Sequence, residues 1–106
     1  MDAADFEARA TRALSLIEQA LEASGVDVDV ESKEGGILEL EFADRSKMII
    51  NRHAAAMEIW VAARSGGFHY RWDGAQWRDT RDGSELFSAL SRLVSAQARQ
   101  EVSLRP

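Results

Sequence analysis

Apolar residues along this chain recur every three to four positions near the start, every two through the middle, and every three to four again near the end. From Asp2 to Ala23, the residues Phe6, Ala10, Ala13, Leu14, Ile17, Ala20 and Leu21 follow the helical spacing. They predict an amphipathic helix of about five to six turns. Asp2 or Asp5 supplies its N-cap, and Ser24-Gly25 closes it, glycine suiting the left-handed position after a helix. Val26 to Glu31 alternates strictly, which sets Val26, Val28 and Val30 toward a core and Asp27, Asp29 and Glu31 outward, about 6.5–7 Å apart. So charged a strand belongs at a sheet edge. Ser32-Lys33-Glu34-Gly35-Gly36 then turns the chain into Ile37–Phe42, where Leu38, Leu40 and Phe42 alternate with Glu39 and Glu41.

Three further strands are predicted at Ser46–Arg52, Met57–Arg64 and Phe68–Trp72, the last two joined by the turn signal Ser65-Gly66-Gly67. Alternation places Trp60 with Glu58, Ala62 and Arg64 rather than with Met57, Ile59, Val61 and Ala63, so Trp60 is expected to be substantially exposed. Asp73-Gly74 is a hairpin signal, and Ala75–Asp79 follows as a short last strand. Asp82-Gly83-Ser84-Glu85 has the pattern of a capping box, which predicts a helix from about Gly83 to Gln97 with Phe87, Leu90, Leu93, Val94 and Ala98 on its apolar face. Val102 and Leu104 return the tail to the core. Helix, six short-loop strands and helix predict an α+β fold, a two-layer sandwich with both helices on one face of an antiparallel sheet, and residues 1–106 as a single domain.

Composition supports a folded globule: 45% of residues are hydrophobic and 29% charged. The absence of cysteine excludes thiolate chemistry, disulfides and cysteine-held zinc or iron–sulfur clusters within this chain. No apolar run approaches membrane-spanning length, and acids precede the first apolar stretch, so the expected location is the cytoplasm. The net charge of −5 conceals an asymmetry. Residues 1–44 carry twelve acids and three bases (−9), while residues 45–106 carry six acids and ten bases (+4). That separation favours cations or a basic partner at the acidic end and disfavours phosphate backbones there.

Glu7, Glu18 and Glu22 fall along one border of the first helix, beside Asp27, Asp29 and Glu31 on the edge strand. Oxygen ligands of this kind suit iron and other hard cations. Strand neighbours about 6.5–7 Å apart cannot jointly close on one ion, so two readings fit: weak, exposed binding at several points, or a solvating edge. His53 and His69 lie sixteen apart without metal-ligand spacing and read as surface histidines. No nucleophile–base motif or phosphate loop is present, which argues against an enzyme. Phe68, Tyr70 and Trp72 with Arg71 have the makings of a stacking platform for single-stranded nucleic acid. Against that stand the acidic net charge and the expectation that these aromatics pack under the helices.

Ser46-Lys47, Ile50-Asn51-Arg52, Ile59-Trp60 and Gly66-Gly67-Phe68-His69-Tyr70 together resemble the central signature of the bacterial frataxin (CyaY) family. The similarity runs at near-equal spacing from Phe6 through Gly35-Gly36, Trp77 and Gly83 to about Val102. The resemblance implies a frataxin-like sandwich and a non-catalytic, cytoplasmic regulator of iron–sulfur cluster assembly. It implies weak, surface-bound iron (Fe2+/Fe3+) on the acidic ridge of Glu7, Glu18, Glu22, Asp27, Asp29 and Glu31. It also implies docking of that ridge on an IscS-like cysteine desulfurase, with Asn51, Arg52 and Trp60 meeting an IscU-like iron–sulfur scaffold protein. No nucleic-acid or membrane partner is implied; the protein is expected to be a monomer, with iron-induced oligomers left open. Gln19 and Ala23 stand where relatives are acidic, so iron binding is expected to be weaker here. The link Arg52-His53-Ala54-Ala55-Ala56 also lacks the proline common in relatives.

Overall fold

The computed structural model describes residues Met1–Pro106. Helix α1 (Ala3–Ser24) leads into six strands: β1 (Val28–Lys33), β2 (Ile37–Phe42), β3 (Lys47–His53), β4 (Glu58–Ala63), β5 (Gly66–Trp72) and β6 (Trp77–Asp79). Helix α2 (Leu86–Ala98) follows. The strands pair antiparallel in chain order, β1 to β6, a meander that short turns suffice to connect. Both helices lie on one face.

The predicted apolar faces form the core. Phe6, Ala10, Ile17 and Leu21 of α1 and Leu86, Leu90 and Val94 of α2 are buried against Leu38, Leu40, Met48, Ile50, Ile59, Val61 and Tyr70 of the sheet. The tail also packs as expected, with Val102 and Leu104 buried. Its backbone is held by two serines one turn apart on α2: Leu104 N donates to Ser91 Oγ at 2.8 Å and Val102 N to Ser95 Oγ at 2.9 Å. Gln97 ties the C-terminal end of α2 to the sheet, its Nε2 donating to Ser46 Oγ and the Lys47 carbonyl, both at 3.0 Å.

Of the two caps expected for α1, Asp2 is the one used, its Oδ1 accepting from Asp5 N at 2.8 Å. Two local expectations change. Helix α2 starts at Leu86 with Glu85 as N-cap, so Asp82 and Glu85 do not form the predicted capping box. The cause is sheet pairing: Asp79 N donates to Ser84 O at 2.8 Å and Arg78 bridges to Glu85, which keeps this segment extended until the ladder ends. Asp82 instead accepts from Ser84 N at 2.9 Å in a local turn. Met57, expected in β4, is a turn residue with φ +53°, its N–H bonded to the Ala54 carbonyl.

One core group lacks a protein partner. The Tyr70 hydroxyl is buried without a hydrogen bond from the chain, and burial, with the charge of Asp79 adding to it, pushes its phenol up to about 12. A buried hydroxyl left unpaired costs about 1–3 kcal/mol of desolvation. Tyr70→Phe is therefore expected to leave stability unchanged or raise it by up to about 1 kcal/mol in equilibrium denaturation. A loss above that size would show the hydroxyl to be satisfied.

Candidate functional site

With helices on one face only, alternate side chains of every strand face water. Read across the sheet through the registers, this open face carries Asp29, Glu31 and Lys33 on β1, Glu39 and Glu41 on β2, Lys47, Ile49 and Asn51 on β3, Glu58 and Trp60 on β4, His69 and Arg71 on β5, and Arg78 on β6. At the β1–β2 edge four carboxylates outnumber the two lysines beside them, and arginines stand at the opposite edge. Trp60 lies between them.

Pairing builds the centre of that face. Trp60 opposes Asn51 on one side and His69 on the other, while Glu58, two residues back, opposes His53 and Arg71. The indole is stacked on both sides, His53 at 3.7 Å with 11° between planes and His69 at 4.4 Å with 10°. Its Nε1 donates to Glu58 Oε1 at 2.9 Å, and Arg71 Nη2 donates to Glu58 Oε2 at 2.7 Å. Glu58 is consequently only 6% exposed although it stands on the open face, roofed by these side chains. Burial pushes its carboxyl up, but the hydrogen bonds from Trp60 and Arg71, with the Arg71 charge, outweigh that and hold it below its ordinary value. Trp60 is half-buried by its neighbours rather than substantially exposed, because two imidazoles cover the ring faces that solvent was expected to reach. The histidines flank the indole from opposite sides, so they do not converge on one ion. His53 also shapes the β3–β4 turn without the proline, its Nδ1 accepting from Ala56 N at 3.2 Å.

The six predicted carboxylates do not form one cluster. Glu18 and Glu22 border, with Val28 and Val30, a shallow cleft of about 270 Å³ between α1 and β1. Asp29 and Glu31 project from the other face of β1, and Asp27 precedes the strand, its N–H directed at Gln100 Oε1 at 3.4 Å. Glu7 stands about 16 Å along the helix axis from Glu18, eleven residues at 1.5 Å each, and pairs with Arg52 at 3.3 Å. What does accompany Asp29 and Glu31 is a pair that sequence pattern alone does not single out. Glu41 opposes Asp29 and Glu39 opposes Glu31, which puts the β-carbons of like-charged side chains about 4.5–5.5 Å apart across the strands. Lys33 at 3.0 Å and Lys47 at 3.7 Å relieve Glu39, and the Lys33 hydrogen bond holds its carboxyl low. No three acidic or histidine side chains converge closely enough to enclose a metal ion.

Arg52 is on the helix side of β3, opposite to Asn51 and Trp60. Its Nη1 donates to Thr11 Oγ1 at 3.1 Å and its Nη2 meets Glu7, so it braces β3 against α1. The arginine stem occupies the space beside Gly36, where a β-carbon would lie 2.6 Å from Arg52 Cγ. Phe68, Tyr70 and Trp72 are also on the helix side, Tyr70 fully buried and the other two half-buried, so no aromatic platform for nucleic acid stands on the open face.

The frataxin-like domain model matches residues 1–100. The chain belongs to the frataxin-like family. It is 60% identical over 105 residues to the iron-sulfur cluster assembly protein CyaY of Dechloromonas aromatica, covering 99% of this chain and 100% of that one. It is 53% identical over 102 residues to the CyaY protein of Cupriavidus taiwanensis, covering 93% and 92% of the two chains. The solved frataxin of Psychromonas ingrahamii superposes with a TM-score of 0.91 at 32% identity over 100% of both chains. The helix–meander–helix sandwich is therefore the frataxin fold, and the Trp60 stack stands on the open face of a frataxin sheet.

Glu58 gives this frataxin-like domain an acid-sensitive point. Its folded carboxyl lies below the ordinary 4.5, so the stability it contributes is complete above that value and is lost as pH falls through the lower folded one. Glu58→Gln is expected to lower stability at pH 7 and to flatten the stability profile below about pH 4.5, measured by urea denaturation against pH. An unchanged profile would show that Glu58 is not held charged beneath Trp60.

Proposed function

We propose that this frataxin-like protein is a non-catalytic, cytoplasmic factor of iron–sulfur cluster assembly. It docks through its acidic edge on the basic surface of a cysteine desulfurase and through the Trp60 face on the cluster scaffold. The observation that carries this reading is the polarised open face, with carboxylates at the β1–β2 edge, arginines at the β5–β6 edge and a fixed aromatic group between. Support also comes from the family, since close relatives bear the name of iron–sulfur cluster assembly proteins.

Each part has a physical role. Field complementarity steers a basic partner to the acidic edge and sets its orientation, while many separated charges make that encounter salt-sensitive. A tryptophan already locked by stacking loses little side-chain entropy on binding, which suits it as a contact anchor. Asn51 adjoins it, its Nδ2 donating to the Arg52 carbonyl at 3.2 Å, and its amide oxygen stays available to a partner. Arg52 serves the surface indirectly by bracing β3. Iron as cargo binds weakly at the carboxylate pair Asp29/Glu41, at Glu31 and at Glu18 and Glu22, because open sites supply few oxygens to one ion, while Glu39 is taken up by Lys33 and Lys47. Gln19 and Ala23 thin the helix side further.

Replacing Asp27, Asp29 and Glu31 together with Lys is expected to abolish desulfurase binding while leaving the fold intact, since all three side chains are exposed. Any single replacement has a small effect, exposed charges being worth about 0–1 kcal/mol each. Trp60→Ala is expected to spare desulfurase binding and weaken the complex that includes the scaffold. Calorimetric titration with purified partners, and the cluster-assembly rate with and without this protein, read both effects. A triple variant that binds the desulfurase as tightly as the parent at low salt would reduce the acidic edge to a solvating surface.

A further inference from the structure

A cleft of about 440 Å³ lies on the helix side of the β5–β6 hairpin, between α1 and the first turn of α2, away from the Trp60 face. Its size is that of a small-molecule site, which spans about 300–1,000 Å³. Trp72 and Trp77 form its base, packed edge-to-face at 5.5 Å, and Leu16 forms a wall. Arg9 and Arg12, three residues apart and so neighbours on the α1 surface, stand at the rim. The Arg9 guanidinium sits 4.7 Å from the centroid of the Trp72 ring, which holds it over the opening.

Charge identifies the occupant. Residues 1–44 contain three basic side chains, Arg9, Arg12 and Lys33, among twelve acids, and two of the three are at this rim. Lys33 pairs with Glu39, but neither Arg9 nor Arg12 has a carboxylate within ion-pairing distance, the Pro106 carboxylate included. Pro106 lines the cleft as well, and the one acidic side chain that does so, Glu85, is engaged elsewhere: its oxygens accept from Phe87 N at 2.8 Å and Ser88 N at 3.0 Å, capping α2. One guanidinium over an indole and a second lining the same cleft, neither with a carboxylate partner, match a ligand with an apolar body and an anionic end.

We propose that this cleft binds a small hydrophobic carboxylate, its hydrocarbon or aryl body against Trp72, Trp77 and Leu16 and its carboxylate between Arg9 and Arg12. The inference is independent of the assembly role.

The full-length protein titrated with 2-naphthoate and, separately, with the neutral 2-naphthamide tests it, followed by amide and indole N–H shifts in nuclear magnetic resonance at low salt. Saturable shifts are expected at the Trp72 and Trp77 indoles and along Arg9–Leu16, with the amide binding about tenfold or more weakly, the scale of losing charge-assisted hydrogen bonds. The double variant Arg9→Gln with Arg12→Gln is expected to lose the same factor for naphthoate while staying folded, its thermal midpoint lowered by only a few degrees, about the scale of losing the Arg9–Trp72 contact. Equal affinity for acid and amide, no loss in the double variant, or shifts centred elsewhere would overturn the proposal.

Discussion

A meander of six strands backed by only two helices has one face that the protein cannot bury, and most of this structure's character follows from how that face is kept in order. Period-two alternation commits half of each strand's side chains to water, whatever their chemistry. On this face the solution is a hydrogen-bonded carboxylate beneath a three-ring stack. Glu58 binds Trp60 and Arg71, and the indole is clasped by His53 and His69, so side chains join β3, β4 and β5 on the solvent side as well as in the core. The same arrangement keeps a large aromatic residue fixed at the surface without an apolar pocket to hold it.

The architecture was legible in the sequence because the core obeys simple periods: Phe6 to Leu21 at helical steps, Leu38 to Phe42 and Ile59 to Val61 at alternate positions. Boundaries were less so where distant pairing overrides a local signal. Asp82-Gly83-Ser84-Glu85 is a sound capping pattern, yet the bridge from Arg78 to Glu85 keeps it extended. At the site, facing was readable and partnership was not. Alternation gave Trp60 its face, but nothing in a one-dimensional pattern brings His53 and His69 against it, since that depends on register across three strands. Register likewise pairs Asp29 with Glu41 and Glu31 with Glu39, whereas projecting the helix alone suggested Glu7 as a member of the ridge. Arg52 shows the same limit: one residue from Asn51 in sequence, it is on the opposite side of the sheet, bound to Glu7 and Thr11.

The charge asymmetry between the halves of the chain acquires meaning through topology. In a meander whose spatial order equals chain order, a sequence that changes from acidic to basic becomes a surface that does the same from edge to edge. A different strand order would have interleaved the charges and cancelled the field. In the proposed docking role such a separation would orient a partner, and its reach is limited by salt, the Debye length being about 8 Å at physiological ionic strength. The arginines of α1 escape this pattern, which is why the cleft beside Trp72 has an electrostatic character of its own.

The central claim is that the open, polarised face is the docking surface. Mapping amide shifts of the isotope-labelled protein on titration with the unlabelled desulfurase, and then with the scaffold, tests it most directly. The account predicts that the desulfurase perturbs Asp27–Glu31 and Glu39–Glu41, that the scaffold adds Asn51 and the Trp60 indole N–H, and that the solvent side of α2 stays silent. Perturbations centred on α2 or on the outer surface of α1, with the Trp60 row unmoved by either partner, would contradict it.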